Sequence, residues 1–261
     1  MRILVCVKYV PDIHSPRSFA DERVVRNPDD GGMNELDDHA VEAAVRLVEE
    51  LGGEVVALTV GSEDASVALR RALQLGASRA IRVTDGAIAN SDVFGTARVL
   101  GAAVRRVGAE EPLDLVLTGM ASLDALTSML PSALAGELGW PQLTLASSLA
   151  VADGRARVER HLADARETVE APLPAVVSVT DEANSPRYPN FKAIVAAREV
   201  EIEAWSLADL GVDPNDVGDL GARARVLSAA PRPPRDDRRV VSDTGDGGVQ
   251  LAAFLAEKGF A

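Results

Sequence analysis

Two stretches of this chain carry residue types able to bind or recognise something. The first is Thr118-Gly-Met-Ala-Ser-Leu-Asp124, running on into Thr127-Ser-Met-Leu-Pro131. It leaves an apolar run and enters a helical pattern. Free N–H groups at a helix start, reinforced by the helix dipole, can seat a phosphate; an ordinary capped helix fits the same residues. The second stretch, Asp181 to Arg198, follows the apolar run Ala175 to Thr180 and holds Tyr188 and Phe191 in a chain with only 3% aromatics. Aromatics on a post-strand loop are the usual anchors of protein interfaces. They can equally fold back onto their own sheet.

The other chemically capable residues are scattered. His14, His39 and His161 lie far apart in sequence, and none has an obvious serine or cysteine nucleophile near it, which argues against a hydrolytic triad. His39 is expected on a solvated helix face and His161 on a strand surface. The acidic pairs Asp29-Asp30 and Asp37-Asp38 are read as turn and helix-start residues. No G-x-G-x-x-G follows the first apolar run, no Walker-type G-x-x-x-x-G-K-(S/T) occurs, and no Cys/His cluster suits a metal. No catalytic residue is assigned and no metal ligand is expected.

The elements that must position these residues alternate regularly. Arg2 to Lys8, Glu54 to Val60, Ala80 to Val83 and Leu113 to Thr118 read as strands, the last buried on both faces in the manner of a parallel sheet. Amphipathic helices separate them. Asn34 caps the first, whose stripe is Leu36, Ala40, Val41, Ala44, Leu47, Val48 and Leu51. Ser62 or Glu63 opens the second, which stops at Gly76. Ser91 to Val107 forms the third, and Thr127 or Ser128 caps the fourth, ending at Gly139. This rhythm predicts an α/β fold with a doubly wound, open, mainly parallel sheet and right-handed crossovers. Ligands are then expected at the carboxyl ends of strands one, two and four. The polar stretch Tyr9 to Met33 is too long for an ordinary connection and should be locally structured or functional.

From Pro141 three alternating runs near Ala146 to Val151, Arg155 to His161 and Glu167 to Ala171 predict a small antiparallel insertion, with Asp153-Gly154 as a hairpin turn. Ala175 to Thr180 returns to the main sheet. The resulting division is an α/β domain over 1–200, with antiparallel strands in 141–180 and a partner loop in 181–199, and an extended C-terminal arm over 201–261. Trp205, the Pro- and Arg-rich Pro231 to Arg239 and a last helix up to Gly259 belong to that arm. It has little core of its own, so it packs on another domain or subunit, or is a loose tail.

The chain has 261 residues, 47% of them hydrophobic, and a net charge of −13. That charge argues against a nucleic-acid backbone as partner. Cys6, the only cysteine, lies in the first apolar run and reads as a buried small hydrophobe. No apolar run approaches the roughly 18 residues of a membrane span. A soluble, cytoplasmic protein without membrane insertion is expected.

In order along the chain, several segments resemble the β subunit of electron transfer flavoprotein. They are Ile3-Leu-Val-Cys-Val-Lys-Tyr-Val-Pro-Asp12, Met33-Asn-Glu-Leu-Asp-Asp-His-Ala-Val-Glu-Ala-Ala44, Leu69-Arg-Arg-Ala-Leu-Gln-Leu-Gly-Ala77, Gly139-Trp-Pro141, Leu173-Pro-Ala-Val-Val177 and, most specific, Asn184-x-Pro-Arg-Tyr188. The resemblance covers nearly the whole chain. It implies an adenine-nucleotide α-hydrolase-like fold and an αβ heterodimer. In that dimer the α subunit holds most of a redox-active FAD, and the β subunit holds AMP. The pair would take electrons from acyl-CoA or related dehydrogenases and pass them to a membrane quinone oxidoreductase. The chain would then be an electron carrier subunit in fatty acid oxidation rather than an enzyme.

Carried over by position, the resemblance puts Cys6, Asn34, Glu35, Leu36 and Asp37 beside the adenosine, with Val60 next to them. Asp124, Ala125, Leu126, Thr127, Ser128, Met129, Leu130 and Pro131 begin the segment, up to Ala135, that wraps the phosphate. Asn184, Pro186, Arg187, Tyr188, Phe191 and Ile194 lie in the partner-docking segment, with Phe191 as apolar anchor, and Glu167 faces the flavin domain of the α subunit. Two departures stand out. The phosphate loop lacks the "N-Q-T-G-Q" of many relatives, so fewer side chains reach a nucleotide. The lysine-rich recognition helix is replaced by Ala-Ile-Val-Ala-Ala-Arg-Glu. Ser91-Asp92 with Thr96-Ala-Arg98 is similar to the pattern in electron-bifurcating relatives, where a second FAD replaces AMP. A stand-alone adenine-nucleotide-binding stress-type regulator on the same fold is the alternative from another class.

Overall fold

The computed structural model describes residues 1–16, 18–20, 23–25, 30–234 and 240–260. Asp29 and residues 235–239, which the sequence reading singled out, lie outside them. The strands are β1 (Arg2–Cys6), β2 (Tyr9–Pro11), β3 (Phe19–Ala20), β4 (Arg23–Val24), β5 (Gly31–Met33), β6 (Glu54–Val60), β7 (Arg79–Val83), β8 (Leu115–Gly119), β9 (Gln142–Ala146), β10 (Ser148–Ala152), β11 (Arg155–His161), β12 (Arg166–Pro172), β13 (Ala175–Val179) and β14 (Ile202–Trp205). The helices are α1 (Glu35–Leu51), α2 (Ser66–Leu75), α3 (Val93–Glu110), α4 (Leu130–Leu138), α5 (Phe191–Glu199), α6 (Leu207–Leu210), α7 (Gly218–Gly221) and α8 (Gly247–Glu257).

Seven strands form one sheet in the order β14-β7-β6-β1-β8-β13-β9. Every pairing in it is parallel. The fully buried runs of β1, β8 and β13 follow from having helices on both faces. Alternate side chains of the strands feed two cores. Ile3, Val5, Val55 and Ala57 join α1 and α2 on one face, while Leu4, Val56, Ile81 and Val116 join α3 and α4 on the other. This is the doubly wound α/β fold predicted from the sequence.

Succession in the sheet runs outward from β1 to β6 and β7, then reverses to β8 on the opposite side of β1. That reversal leaves a crevice beyond the carboxyl ends of β1 and β8, the ordinary ligand position of such sheets. The long stretch after β1 is locally structured, since β2 pairs antiparallel with β5 and β3 with β4.

The insertion is an antiparallel sheet, β10-β11-β12. Asp153 and Gly154 both have positive φ at its first turn, as a two-residue hairpin requires. Not all of 141–180 is antiparallel, however. β9 lies in the parallel sheet as its edge strand, beside β13, which returns to that sheet as expected.

The first part of the expected arm also completes the sheet. β14 pairs with β7 and Trp205 is buried in the second core. Leu207 and Val217 join it there, so the residues up to Gly221 pack on the α/β body. Among the described residues from Arg223 onward none is buried, including those of α8, whose Val249 and Leu251 are exposed. Among the described residues no helix is long and apolar enough to cross a membrane.

Candidate functional site

The switch-point crevice is built by three segments meeting at the start of α1. Asn34 occupies the N-cap position, but its side chain does not cap α1, contrary to expectation. It reaches across instead: Nδ2 donates to Asp37 Oδ1 and to the Ala121 carbonyl, and Oδ1 accepts from Leu123 N, all at 2.9–3.0 Å. A buried amide with three partners fixes the chain after β8 against the first turn of α1. Asp37 adds a second tie, accepting the Lys8 amide at 2.8 Å and the Gly119 amide. β8 ends so close to α1 that a Cβ on Gly119 would stand 2.6 Å from Asp37 Oδ1, which only glycine avoids.

Asp37 is therefore more than a helix-start residue. Burial raises its carboxyl to about 7, against the lowering effect of the Asn34 hydrogen bond, the Lys8 and Gly119 amides and the Lys8 charge. Burial, with nearby Asp37, also pushes the Cys6 thiol up to about 12, in keeping with an inert packing role.

Lys8 was not singled out in the sequence, yet it bridges the crevice. Its Nζ lies 2.8 Å from Asp124 Oδ1 and 3.3 Å from Ser122 Oγ, joining the segment after β1 to the segment after β8. The Asp124 side chain is 0% exposed, while that of Lys8 is 41% exposed. Asp124 thus points inward to an ammonium. Its only visible sequence signal was a lysine ending a buried strand.

Beyond Asp124 the chain differs from expectation again. Neither Thr127 nor Ser128 caps α4, which begins at Leu130 with Met129 in the N-cap position. Leu126 and Ser128 both have φ of 51°, and these left-handed turns displace the helix start to Leu130; Pro131 follows in the first turn, which its fixed φ suits. Ala125, Leu126, Thr127, Ser128 and Met129 are exposed, as is Glu35, whereas Leu36, Val60 and Leu130 are half-buried and Pro131 is buried. The structure thus sorts the expected nucleotide residues. Cys6, Asn34, Asp37 and the Asp124 side chain form a saturated floor, and the 125–129 loop with Lys8 forms the reachable rim. Hydroxyls, backbone and one ammonium suit a small phosphate-bearing group.

A cavity of about 200 Å³ adjoins the rim, lined among others by Ile13, His14, Met33, Glu35 and Leu123. A larger groove of about 630 Å³ includes none of these residues. It runs along α3, where Arg98, Arg105 and Arg106 are already bonded to Asp216, Glu137 and the Asp209 carbonyl. Among the described residues no group of three or more His, Cys, Asp or Glu side chains could hold a metal.

The second candidate region follows β13. Tyr188 is 94% and Phe191 81% exposed, so the aromatics do not fold back onto their own sheet. Pro186 and Ile194 are half-buried beside them. Asn190 caps α5 by accepting from Ala193 N. His39 is not simply solvated, because its Nδ1 lies 3.1 Å from the Asn184 carbonyl and Asn184 Nδ2 donates to the His39 carbonyl at 2.9 Å. Arg187 donates to Glu42 and Glu49 on the same helix. His161, on β11, has Nδ1 2.7 Å from Glu182 Oε2 at the start of the segment.

Glu167 sits across from Arg160 in the small sheet and is ion-paired to it, with its side chain 38% exposed. Ser91, Asp92 and Arg98 are all engaged within the chain. Ser91 Oγ accepts from Gly218 N. Asp92 caps α3 through Phe94 N and Gly95 N and also accepts from Arg223 N and Ala224 N. These amide bonds hold the Asp92 carboxyl below its ordinary value despite the opposing effect of burial.

The model of the electron transfer flavoprotein domain family matches residues 22–210. The chain is 36% identical over 260 residues to the electron transfer flavoprotein subunit beta of Mycobacterium leprae, covering 97% of both chains. It is 33% identical to the protein of that name from Thermoanaerobacterium thermosaccharolyticum, covering 88% of both. It is also 31% identical to the caffeyl-CoA reductase-Etf complex subunit CarD of Acetobacterium woodii, covering 99% of both.

Proposed function

The chain belongs to the electron transfer flavoprotein family, and from that premise we propose that it serves as the β subunit of a heterodimeric electron carrier. It has no substrate chemistry of its own. Electrons enter a FAD held mainly by the α subunit, donated by a flavin dehydrogenase of the acyl-CoA or a related type, and leave to a quinone oxidoreductase. The observation that carries the docking role is the segment after β13, which holds two almost fully exposed aromatics on a pinned backbone. Exposed aromatics on ordered backbone fit an anchor for a partner's pocket.

AMP is the nucleotide proposed for the switch-point rim. Lys8, Thr127 and Ser128 would hold its phosphate, with Glu35 and Val60 towards the adenosine. It serves as a structural ligand and supplies no redox step. The arm after Ala222, with exposed apolar residues in α8 and none of its described residues buried, would lie on the α subunit, and Glu167 would face the flavin domain. A second FAD in place of AMP is less favoured. Ser91, Asp92 and Arg98, the residues similar to the bifurcating pattern, are occupied within the chain. Family membership replaces the stress-type regulator as a reading. A cytoplasmic location accords with this role.

The test is to purify the chain with its cognate α subunit, denature the complex and quantify the released nucleotides. A yellow heterodimer with one FAD and one AMP is the expected result. No heterodimer, or two FAD and no AMP, would overturn the reading in its first or second part respectively.

A further inference from the structure

The residues between β13 and α5 have no helix or strand of their own, and two of them are prolines, Pro186 and Pro189. Something must nevertheless define the pose in which Tyr188 and Phe191 leave the surface. From Asn184 to Arg187 the hydrogen bonds described for this segment all end on one helix, α1. Besides the paired bonds between Asn184 and His39, an Arg46 guanidinium nitrogen donates to the Ser185 carbonyl at 3.2 Å. Arg187 donates from its backbone N at 3.1 Å and from Nε at 2.8 Å to the same oxygen, Glu42 Oε2. Its other guanidinium nitrogens reach Glu49 at 2.6 and 2.8 Å. Downstream, Arg70 of α2 closes the far end by donating to the Ala197 and Val200 carbonyls.

Glu42 is the centre of this arrangement. Its side chain is 3% exposed, and it accepts from Arg46 as well as Arg187. A carboxylate so buried is costly unless paired and hydrogen-bonded, and here two guanidiniums and a backbone amide satisfy it. Buried charge adds less to stability than apolar packing would, but it fixes geometry. The residue it grips is the immediate neighbour of Tyr188. The exposed aromatics are thereby held one and four residues beyond a rigid point.

We propose that Glu42 is the positioning residue of the docking segment: by clamping Arg187 to α1 it sets the pose in which Tyr188 and Phe191 meet a partner's apolar pocket. This rests on the docking role proposed above. Glu42 touches no partner itself and acts through Arg187.

The test uses the intact heterodimer, with Glu42→Gln and, should that variant fold poorly, Arg187→Lys. Two readouts are taken: amide hydrogen exchange of residues 183–190, and steady-state electron transfer from the dehydrogenase with KM and kcat separated. Loss of the clamp should speed exchange in that segment about tenfold and raise KM about tenfold, with kcat and FAD content unchanged. Glu42→Asp, which keeps the charge, should recover part of both effects, whereas Phe191→Ala should raise KM with exchange unchanged. Unaltered exchange in both clamp variants would overturn the proposal, and so would faster exchange with an unaltered KM. If the wild-type heterodimer accepts electrons from no flavin dehydrogenase, the docking reading fails, and the exchange data alone decide whether Glu42 holds the segment.

Discussion

The segments after β8 and after β13 leave adjacent strands of one sheet and are fastened to the same helix, yet they are built in opposite senses. After β8, α1 offers its first turn, and the ties run through Asn34, Asp37 and Lys8 into buried amides and a buried carboxylate. The Asn34, Asp37 and Asp124 side chains turn inward, and what faces out is a short uncharged loop, Ala125 to Met129, with Leu126 and Met129 exposed. After β13, the middle of α1 offers charged side chains that grip the backbone while the aromatics face out. The first construction spends its polar groups on a floor, as suits a seat for a small ligand. The second spends them on a shelf, as suits a surface for a large partner. Exposure of a named residue type therefore says little until the hydrogen bonds of its neighbours are counted.

If this contrast is right, variants in the first region should move stability and variants at the tip of the second should move only affinity. Lys8→Met removes the ammonium facing the buried Asp124 side chain. It should cost up to about 3 kcal/mol in denaturant unfolding; a loss under about 0.5 kcal/mol would mean the bridge is ornamental. Phe191→Ala should leave unfolding unchanged and weaken dehydrogenase docking by about thirtyfold, roughly 2 kcal/mol. A shift in the unfolding midpoint with unaltered docking would reverse the assignment. Asn34→Ala strands Leu123 N and the Ala121 carbonyl and should cost about 1 to 2 kcal/mol, measurable by the same unfolding experiment.

A separate prediction concerns pH. The folded chain holds the Asp37 proton up to about 7 against an ordinary 3.8, so over that interval the folded state binds more protons than the unfolded one. Its contribution is fully present below the ordinary value and is lost as pH rises through about 7. Asp37→Asn should flatten this part of the stability profile, whatever it does to absolute stability. An identical slope in the variant would show that Asp37 does not titrate there. Glu42, held below its ordinary value by Arg187 and Arg46 despite the opposing effect of burial, should act in the opposite sense. Its clamp persists above the ordinary carboxylate value and is lost as pH falls through the lowered one.

Much of the fold was legible because it depends on local periodicity. The runs at β1, β6, β7 and β8 and the stripes of α1 to α3 are patterns that a chain can show without knowing its neighbours. The Asp153-Gly154 turn was legible for the same reason. Places where the reading slipped share a different cause. Asn34, Thr127 and Ser128 have the composition of helix caps, but whether a short polar side chain caps its own helix or bonds elsewhere depends on what lies within reach. Trp205 looked like the start of an arm because its strand is short and at the edge of the sheet. Only pairing with β7 reveals it as core.

By itself, then, the sequence determined the alternation of strands and helices, the parallel sheet, the carboxyl-end location of the candidate sites and the unusual placement of aromatics after β13. Each follows from side-chain type and spacing along one segment. The tertiary structure alone decided that Lys8 meets Asp124, that Asp37 is buried beneath Gly119 and that Glu42 grips Arg187. These pairs are separated by 116, 82 and 145 positions respectively. No local pattern links residues so far apart; the reversal of strand order at β1 and the fold of the chain back across α1 bring them together.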